Sequence, residues 1–177
     1  TGTRAEYGLM RNLILKLQND RTCKLDLLVS GTHFNSEFGS TIDEINNDGI
    51  FEIHALPFSV KLNEKIDMSF QTAETIKLVS KALEKFDSDY LMILGDRFES
   101  FGAAVAAHIL GIKIVHMHGG ESSLGALDDK LRHSISQLST LHFTSANVHK
   151  KKVSDILGSS EGVFNVGPMV IDGLLNL

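Results

Sequence analysis

The residues from Ile114 to His133 concentrate the chemistry of this chain. Ile114-Val115-His116-Met117-His118-Gly119-Gly120-Glu121 is followed at once by Asp128-Asp129 and Arg132-His133. An apolar run that reads as a buried strand breaks at a glycine pair and gives way to titratable side chains. Open α/β sheets hold their ligands at strand ends of this kind. His118 and Glu121 stand close enough to divide general-acid and general-base work near neutral pH. Gly119 and Gly120 let the backbone approach a ligand or take positive φ. A tight structural loop with polar tips is the plainer alternative, but such a loop has little use for this density of ionisable groups.

Other strand ends carry candidates of their own. Asp96 follows the apolar run Leu91–Leu94 and Gly95. It can cap the helix expected near Phe98, act as a catalytic carboxylate, or do both. Gly2-Thr3-Arg4 opens a helix, so backbone N–H groups and a guanidinium suit an anion such as phosphate. The alternative there is a turn with a solvated arginine. The G-x-G-x-x-G fingerprint of dinucleotide binding is absent. Asp128 and Arg132 lie four apart, on one helix face, where an exposed ion pair is worth little. His116, His118 and Glu121 are conceivable metal ligands. They have no cysteine and no H-x-x-x-H spacing beside them, so no metal is expected. Ser134, Ser136 and Ser139 lack a G-x-S-x-G context. Cys23 has no partner histidine in sequence and reads as structural.

These residues need a scaffold, and the hydrophobic pattern supplies one. Leu9, Leu13 and Leu17 predict a helix over 7–19, and Thr72, Ile76, Val79, Leu83 and Phe86 predict one over 71–86. Further helices are expected at 39–47, 98–110, 128–138 and 146–157. Strands are expected at 25–29, 50–56, 90–94, 113–117, 141–144 and 162–166. This βαβα alternation predicts an α/β fold, a Rossmann-like parallel sheet with helices on both faces. Four loops, at 2–6, 31–35, 95–99 and 116–129, then fall at one C-terminal sheet edge. That topology is expected to gather Arg4, His33, Asp96, Arg97, His118, Glu121 and Asp128 around one crevice.

Bulk properties narrow the function classes. The 177 residues suit one domain. A net charge of −5 argues against a nucleic-acid module, and Lys150-Lys151-Lys152 reads as a solvated helix face. One cysteine excludes an intrachain disulfide and suits a reducing, cytoplasmic compartment. The apolar stretch 101–118 is interrupted by His108, Gly111 and Lys113, so no membrane span is expected. Thr1-Gly2-Thr3-Arg4 reads like the turn after a strand, and the expectation is a segment of a longer protein.

Taken in order, several motifs match a known family. They are Gly2-Thr3-Arg4-Ala5-Glu6-Tyr7-Gly8, Ser30-Gly31-Thr32-His33, Leu94-Gly95-Asp96-Arg97-Phe98-Glu99, His116-Met117-His118-Gly119-Gly120-Glu121, Asp128-Asp129-Lys130-Leu131-Arg132-His133-Ser134-Ile135-Ser136 and Val166-Gly167-Pro168. Together they resemble the UDP-N-acetylglucosamine 2-epimerases, and more closely the hydrolysing branch that feeds sialic-acid-type sugars. The resemblance implies one half of a glycosyltransferase-B-like architecture of two Rossmann-like domains. Residues 1–177 would be the N-terminal domain without its first strand, and the absent C-terminal domain would supply much of the nucleotide grip and a further catalytic histidine. It implies elimination of UDP to a glycal, then addition of water to release N-acetylmannosamine, with no metal or nicotinamide cofactor.

By motif, the resemblance makes Asp96 and Asp128 catalytic carboxylates and keeps Glu121 as a second acid. With His118, which departs from the family pattern and whose role it leaves open, they are the expected catalytic set. Arg4, His33, Arg97, Gly119, Gly120, Arg132 and His133 fall in the substrate-binding segments. Many family members carry an acid where His118 stands. A cytoplasmic homo-oligomer acting on a UDP-sugar is expected, with neither nucleic acid nor membrane as partner. The alternatives are a related UDP-diacetamido-sugar hydrolysing epimerase, a non-hydrolysing epimerase, a glycosyltransferase on the same architecture, and a non-catalytic sugar-binding domain.

Overall fold

The computed structural model describes residues 1–34, 41–57, 65–122 and 128–174. Expected features at 35, 39–40 and 123–127 lie outside them. The chain divides into two compact units, Thr1–Leu62 with Met169–Leu177, and Asn63–Pro168.

The first unit opens with helix α1 (Arg4–Asn19). A capping box starts it: the Thr3 hydroxyl accepts from the Glu6 N–H, and the Glu6 carboxylate accepts from the N–H groups of Gly2 and Thr3. Tyr7, Met10 and Ile14 form its buried stripe. Strand β1 (Leu27–Ser30), helix α2 (Ile42–Asn47) and strand β2 (Ile53–Leu56) follow. β1 and β2 pair in parallel, Leu27 opposite Ile53. On the other edge of β1, the Thr1 amino group donates to the Leu28 carbonyl, and the Thr1 carbonyl accepts from the Ser30 N–H. Those two bonds are the ones a parallel neighbour of Val29 makes. The Tyr7 hydroxyl and the Arg11 guanidinium both donate to Asp48, at 2.5 Å in each case, and tie α1 to the end of α2. Gly31–Phe34, expected as a loop, is a 3-10 turn. Cys23 is exposed, which corrects its reading as a structural cysteine. The short helix α7 (Val170–Leu174) also belongs to this unit.

The second unit comprises helix α3 (Lys65–Leu83), strand β3 (Tyr90–Leu94), α4 (Phe98–Ile109), β4 (Lys113–Met117), α5 (Asp128–Leu138), β5 (Leu141–Thr144), α6 (Asn147–Leu157) and β6 (Val163–Asn165). The strands run in the order β3-β4-β5-β6, every pair parallel, with Ile93 opposite His116 and His116 opposite His142. Each crossover is one helix, the connection that parallel strands require. Ile114, Val115, Met117, Ile135, Val153 and Val163 fill the core. α4 packs on α3 at Gly102, where a Cβ would stand 3.0 Å from the Thr72 carbonyl oxygen. α3 begins six residues before the expected 71, and Phe86 falls beyond its end. Its first turns carry the exposed Ile66 and Phe70, which do not join the apolar stripe that marked the rest. Among the described residues no helix is long and apolar enough to cross a membrane.

Candidate active site

The parallel pairing of β3 with β4 brings Gly95-Asp96 beside His118. The Gly95 N–H donates to the Met117 carbonyl at 3.0 Å, and the His118 N–H donates to the Phe143 carbonyl at 2.9 Å. His118 then leaves the strand with φ +61°, the one non-glycine positive φ among the described residues. Positive φ is uncommon outside glycine, though histidine adopts it more readily than most residues, and such conformations gather at functional sites. The turn aims the ring at the next acid: His118 Nδ1 lies 3.2 Å from Glu121 Oε1. Burial pushes the His118 pKa below its ordinary value, against the opposing pull of Glu121.

Arg132 is the hub of this group. It is buried, and one of its nitrogens donates to the His118 carbonyl at 2.9 Å. A second donates to Asp96, and Glu121 Oε2 lies 3.7 Å from the guanidinium. α5 therefore points its arginine inward to two carboxylates from two different strand ends. This corrects the expectation of an exposed Asp128–Arg132 pair, since Asp128 is exposed while Arg132 is not. Asp96 is also not the cap of α4: Arg97 holds that position, without a side-chain capping bond. Arg97 is occupied by Glu99 through two nitrogens, at 3.1 and 2.7 Å, and its guanidinium sits 5.6 Å from the centre of the Phe98 ring.

The glycine pair is required by its surroundings. Gly120 has φ +78°, and a Cβ there would lie 2.4 Å from the His149 carbonyl oxygen. At Gly119 a Cβ would meet His116 Nδ1 and Ser136 Oγ, each at 3.1 Å. His116, weighed as a ligand, has both ring nitrogens engaged: Nε2 with the Gly95 carbonyl at 2.8 Å and Nδ1 with Ser136 Oγ at 3.0 Å. Burial pushes its pKa down to about 3, so the ring is neutral. Nε2–H must then donate to the carbonyl, while the Ser136 hydroxyl, which also lies 3.1 Å from the Arg132 carbonyl, has one proton for that oxygen and Nδ1. His116 thereby fixes the backbone just before Asp96. His133, on α5, also has its pKa lowered by burial and next by Lys152.

In the first unit, Arg4 is 70% exposed and pairs with Glu44 at 2.7 Å. The N–H groups of Gly2 and Thr3, just ahead of α1 where an anion was expected, are met by the Glu6 carboxylate. His33 is fully buried, with one ring nitrogen 2.8 Å from the Thr41 hydroxyl and the other 3.1 Å from that of Thr1. Burial first, then the nearby amino terminus, pushes its pKa to about 4.

Sequence reading missed Ser145, whose hydroxyl donates to Glu121 Oε1 at 2.5 Å. It also missed His149, whose Nδ1 lies 3.2 Å from the Gly120 carbonyl. The signal for Ser145 was present, because it directly follows a strand that feeds a helix. The rule that singled out the other strand ends applies equally to this one.

Comparison with known proteins identifies the family. The family model described as UDP-N-acetylglucosamine 2-epimerase matches residues 15–177. The chain is 36% identical over its whole length to the GDP/UDP-N,N'-diacetylbacillosamine 2-epimerase (hydrolyzing) of Campylobacter jejuni, covering 46% of that protein. It is 33% identical, again over its whole length, to the polysialic acid biosynthesis protein P7 of Escherichia coli, covering 45% of it. The crystal structure of the Neisseria meningitidis UDP-GlcNAc 2-epimerase bound to UDP-GlcNAc superposes with a TM-score of 0.84 and 25% identity, over 98% of this chain and 46% of that one. The chain thus spans about half the length of the relatives it matches. The expected fold class stands: α/β, parallel sheets with helices on both faces, the glycosyltransferase-B-like architecture of these neighbours. On its motifs, its fold and its family match, the chain belongs to the UDP-N-acetylglucosamine 2-epimerase family.

Proposed function

We propose that this chain is the N-terminal domain of a hydrolysing 2-epimerase that acts on UDP-N-acetylglucosamine or on its diacetamido counterpart. The observation that carries the reading is the network of His118, Glu121, Arg132 and Asp96 at the ends of β3 and β4. In the first step a base takes the C2 proton. The C2–H electron pair becomes the C1=C2 double bond, and the C1–O bond breaks with its pair leaving on UDP. Water then adds, hydroxyl to C1 and a proton to the opposite face of C2, and frees the 2-epimer. Inversion by proton transfer needs no redox cofactor.

A neutral His118 fits the first step. With the Nδ1 proton facing Glu121, the lone pair sits on Nε2 and can accept a proton. The lowered pKa keeps the ring neutral near pH 7. Asp96, held by Arg132, is the proposed second acid–base group, with Asp128 at the start of α5 as a further carboxylate. Arg4 is the proposed cation for the departing phosphates. Gly119 and Gly120, packed against His116, Ser136 and His149, set the course of the substrate-binding loop beside Arg132 and His133. His33 and Arg97, both engaged within the protein, shape the segments around the sugar nucleotide. A C-terminal domain completes the site, and the working form is a cytoplasmic homo-oligomer.

The diacetamido substrate is the second reading, favoured by the 36% identity to the Campylobacter enzyme. The test incubates the full-length protein with each UDP-sugar, without acceptor, and follows the products by proton NMR. Free 2-epimer plus UDP is the expected result, and the faster substrate decides between the two readings. A 2-epimer still attached to UDP would make the enzyme non-hydrolysing. Turnover only after an acceptor is added would make it a glycosyltransferase. Unchanged but bound UDP-sugar would make it a binding domain.

A further inference from the structure

We infer that Ser145 is a positioning residue that holds the Glu121 carboxylate in place against His118. The inference rests on the proposed role of the His118–Glu121 pair. The Ser145 hydroxyl donates to Glu121 Oε1 at 2.5 Å, and that same oxygen is the one 3.2 Å from His118 Nδ1. Ser145 and His118 therefore converge on one lone-pair-bearing oxygen, while Arg132 approaches the other at 3.7 Å. A carboxylate on a flexible side chain has two soft torsions next to its head group. Two donors on one oxygen and a guanidinium charge near the other select one orientation, and catalytic geometry depends on such selection.

The start of α6 strengthens the argument. Serine beside a helix start ordinarily serves as a cap. Here the N-cap is Ala146, with no side-chain capping bond. The serine hydroxyl points instead to an acid on the neighbouring strand-end loop. The helix thus starts without the cap that Ser145 could have supplied one position later, and Glu121 gains a donor. The loop bearing Glu121 is braced on the same side by His149 at the Gly120 carbonyl and by Lys152 at the Ser122 hydroxyl. The first contact holds the backbone and the second the Ser122 side chain, and of these three α6-side groups Ser145 is the one that reaches the carboxylate.

The test compares Ser145→Ala and Ser145→Thr with the parent in the full-length protein. Ser145→Ala is expected to lower kcat about tenfold, the loss of one hydrogen bond to a charged group, with KM changed less than twofold. Ser145→Thr, which keeps the hydroxyl, is expected to restore kcat to within about threefold of the parent. A second readout does not depend on turnover. The ring resonances of His118, assigned by their absence in His118→Gln, are compared at one fixed pH. They should shift in Ser145→Ala and return to the parent position in Ser145→Thr. If the parent turns over no UDP-sugar, the functional reading fails and the resonances alone judge Ser145. Unchanged His118 resonances in Ser145→Ala would overturn the inference. So would a loss of kcat that Ser145→Thr fails to restore, or one that tracks a fall in Tm in both variants.

Discussion

His118 combines a left-handed backbone with a ring aimed at Glu121, and the two features can be separated by substitution. Asparagine tolerates positive φ far better than most residues, so His118→Asn keeps the turn and removes the imidazole. We expect kcat/KM to fall about 10²- to 10⁴-fold while Tm stays within about 2 °C of the parent, as the magnitudes for a relieved backbone suggest. Steady-state kinetics beside thermal melts decide it, and matched losses would mark His118 as a loop residue only. The pH profile carries a sign. The folded pKa lies below the ordinary 6.5 because burial disfavours the charged ring. A base limb due to His118 should therefore fall below pH 6.5 as protons are added, and should vanish in His118→Asn. Asp96 offers a second test at this scale. It does not cap α4, so Asp96→Asn loses no cap. A rate loss of about 10²–10⁴ in kcat is expected, larger than any accompanying change in binding.

Elements position these residues through contacts that leave little room. The β4–α5 connection passes under α6 at Gly120, where any side chain would strike the His149 carbonyl and, at 3.0 Å, Val153. Gly120→Ala combines that clash with a positive φ and should destabilise the protein by about 3 kcal/mol or more, in the tail reserved for backbone strain and overpacking. Gly119→Ala meets only side-chain atoms at 3.1 Å and should cost clearly less. Denaturant unfolding of the two variants checks the order, and an equal loss would contradict the contact geometry. The inward turn of Arg132 also belongs to this scale. α5 buries Arg132, Ile135 and Ser136 on one face, so the face that packs on the sheet also delivers the guanidinium to the strand ends.

For the molecule as a whole, buried neutral histidines set the response to acid. His116 has a folded pKa of about 3, mainly through burial, against about 6.5 when unfolded. Between those values the unfolded chain binds the extra proton. Stability is therefore full above pH 6.5 and falls by about 1.4 kcal/mol per pH unit as the pH drops toward 3. His142, also lowered by burial, adds to the same slope over its own window. Melts from pH 7.5 to 4 should show this decline, and His116→Gln, less stable at neutral pH, should show a shallower one. Activity is expected to need more than these residues. The 177-residue chain covers 46% of the Campylobacter relative, and we expect it to show no epimerase turnover by itself. Release of N-acetylmannosamine by the isolated chain, measured by NMR, would overturn that expectation.

What could be read in sequence was whatever rests on local pattern. β3, β4, α5 and β5 begin and end where apolar periodicity and glycine place them, because burial on a sheet face imposes its period on the chain itself. The strand ends bearing Asp96, His118 and Glu121 were legible for the same reason, since parallel βαβ order assigns all such ends to one edge. Partner choice was not legible. Whether Arg132 pairs with its helix neighbour or reaches Asp96, 36 residues away, depends on which face of α5 the sheet buries. Asp96 looked like a cap and proved to be half of an ion pair. Ser145 carried no reading in sequence and proved to be a donor to Glu121. In each case the local choice was open on hydrogen-bonding grounds. For Arg132 and Asp96, tertiary packing closed it by burying an arginine that could not be left without carboxylates; for Ser145, by bringing Glu121 within reach of its hydroxyl.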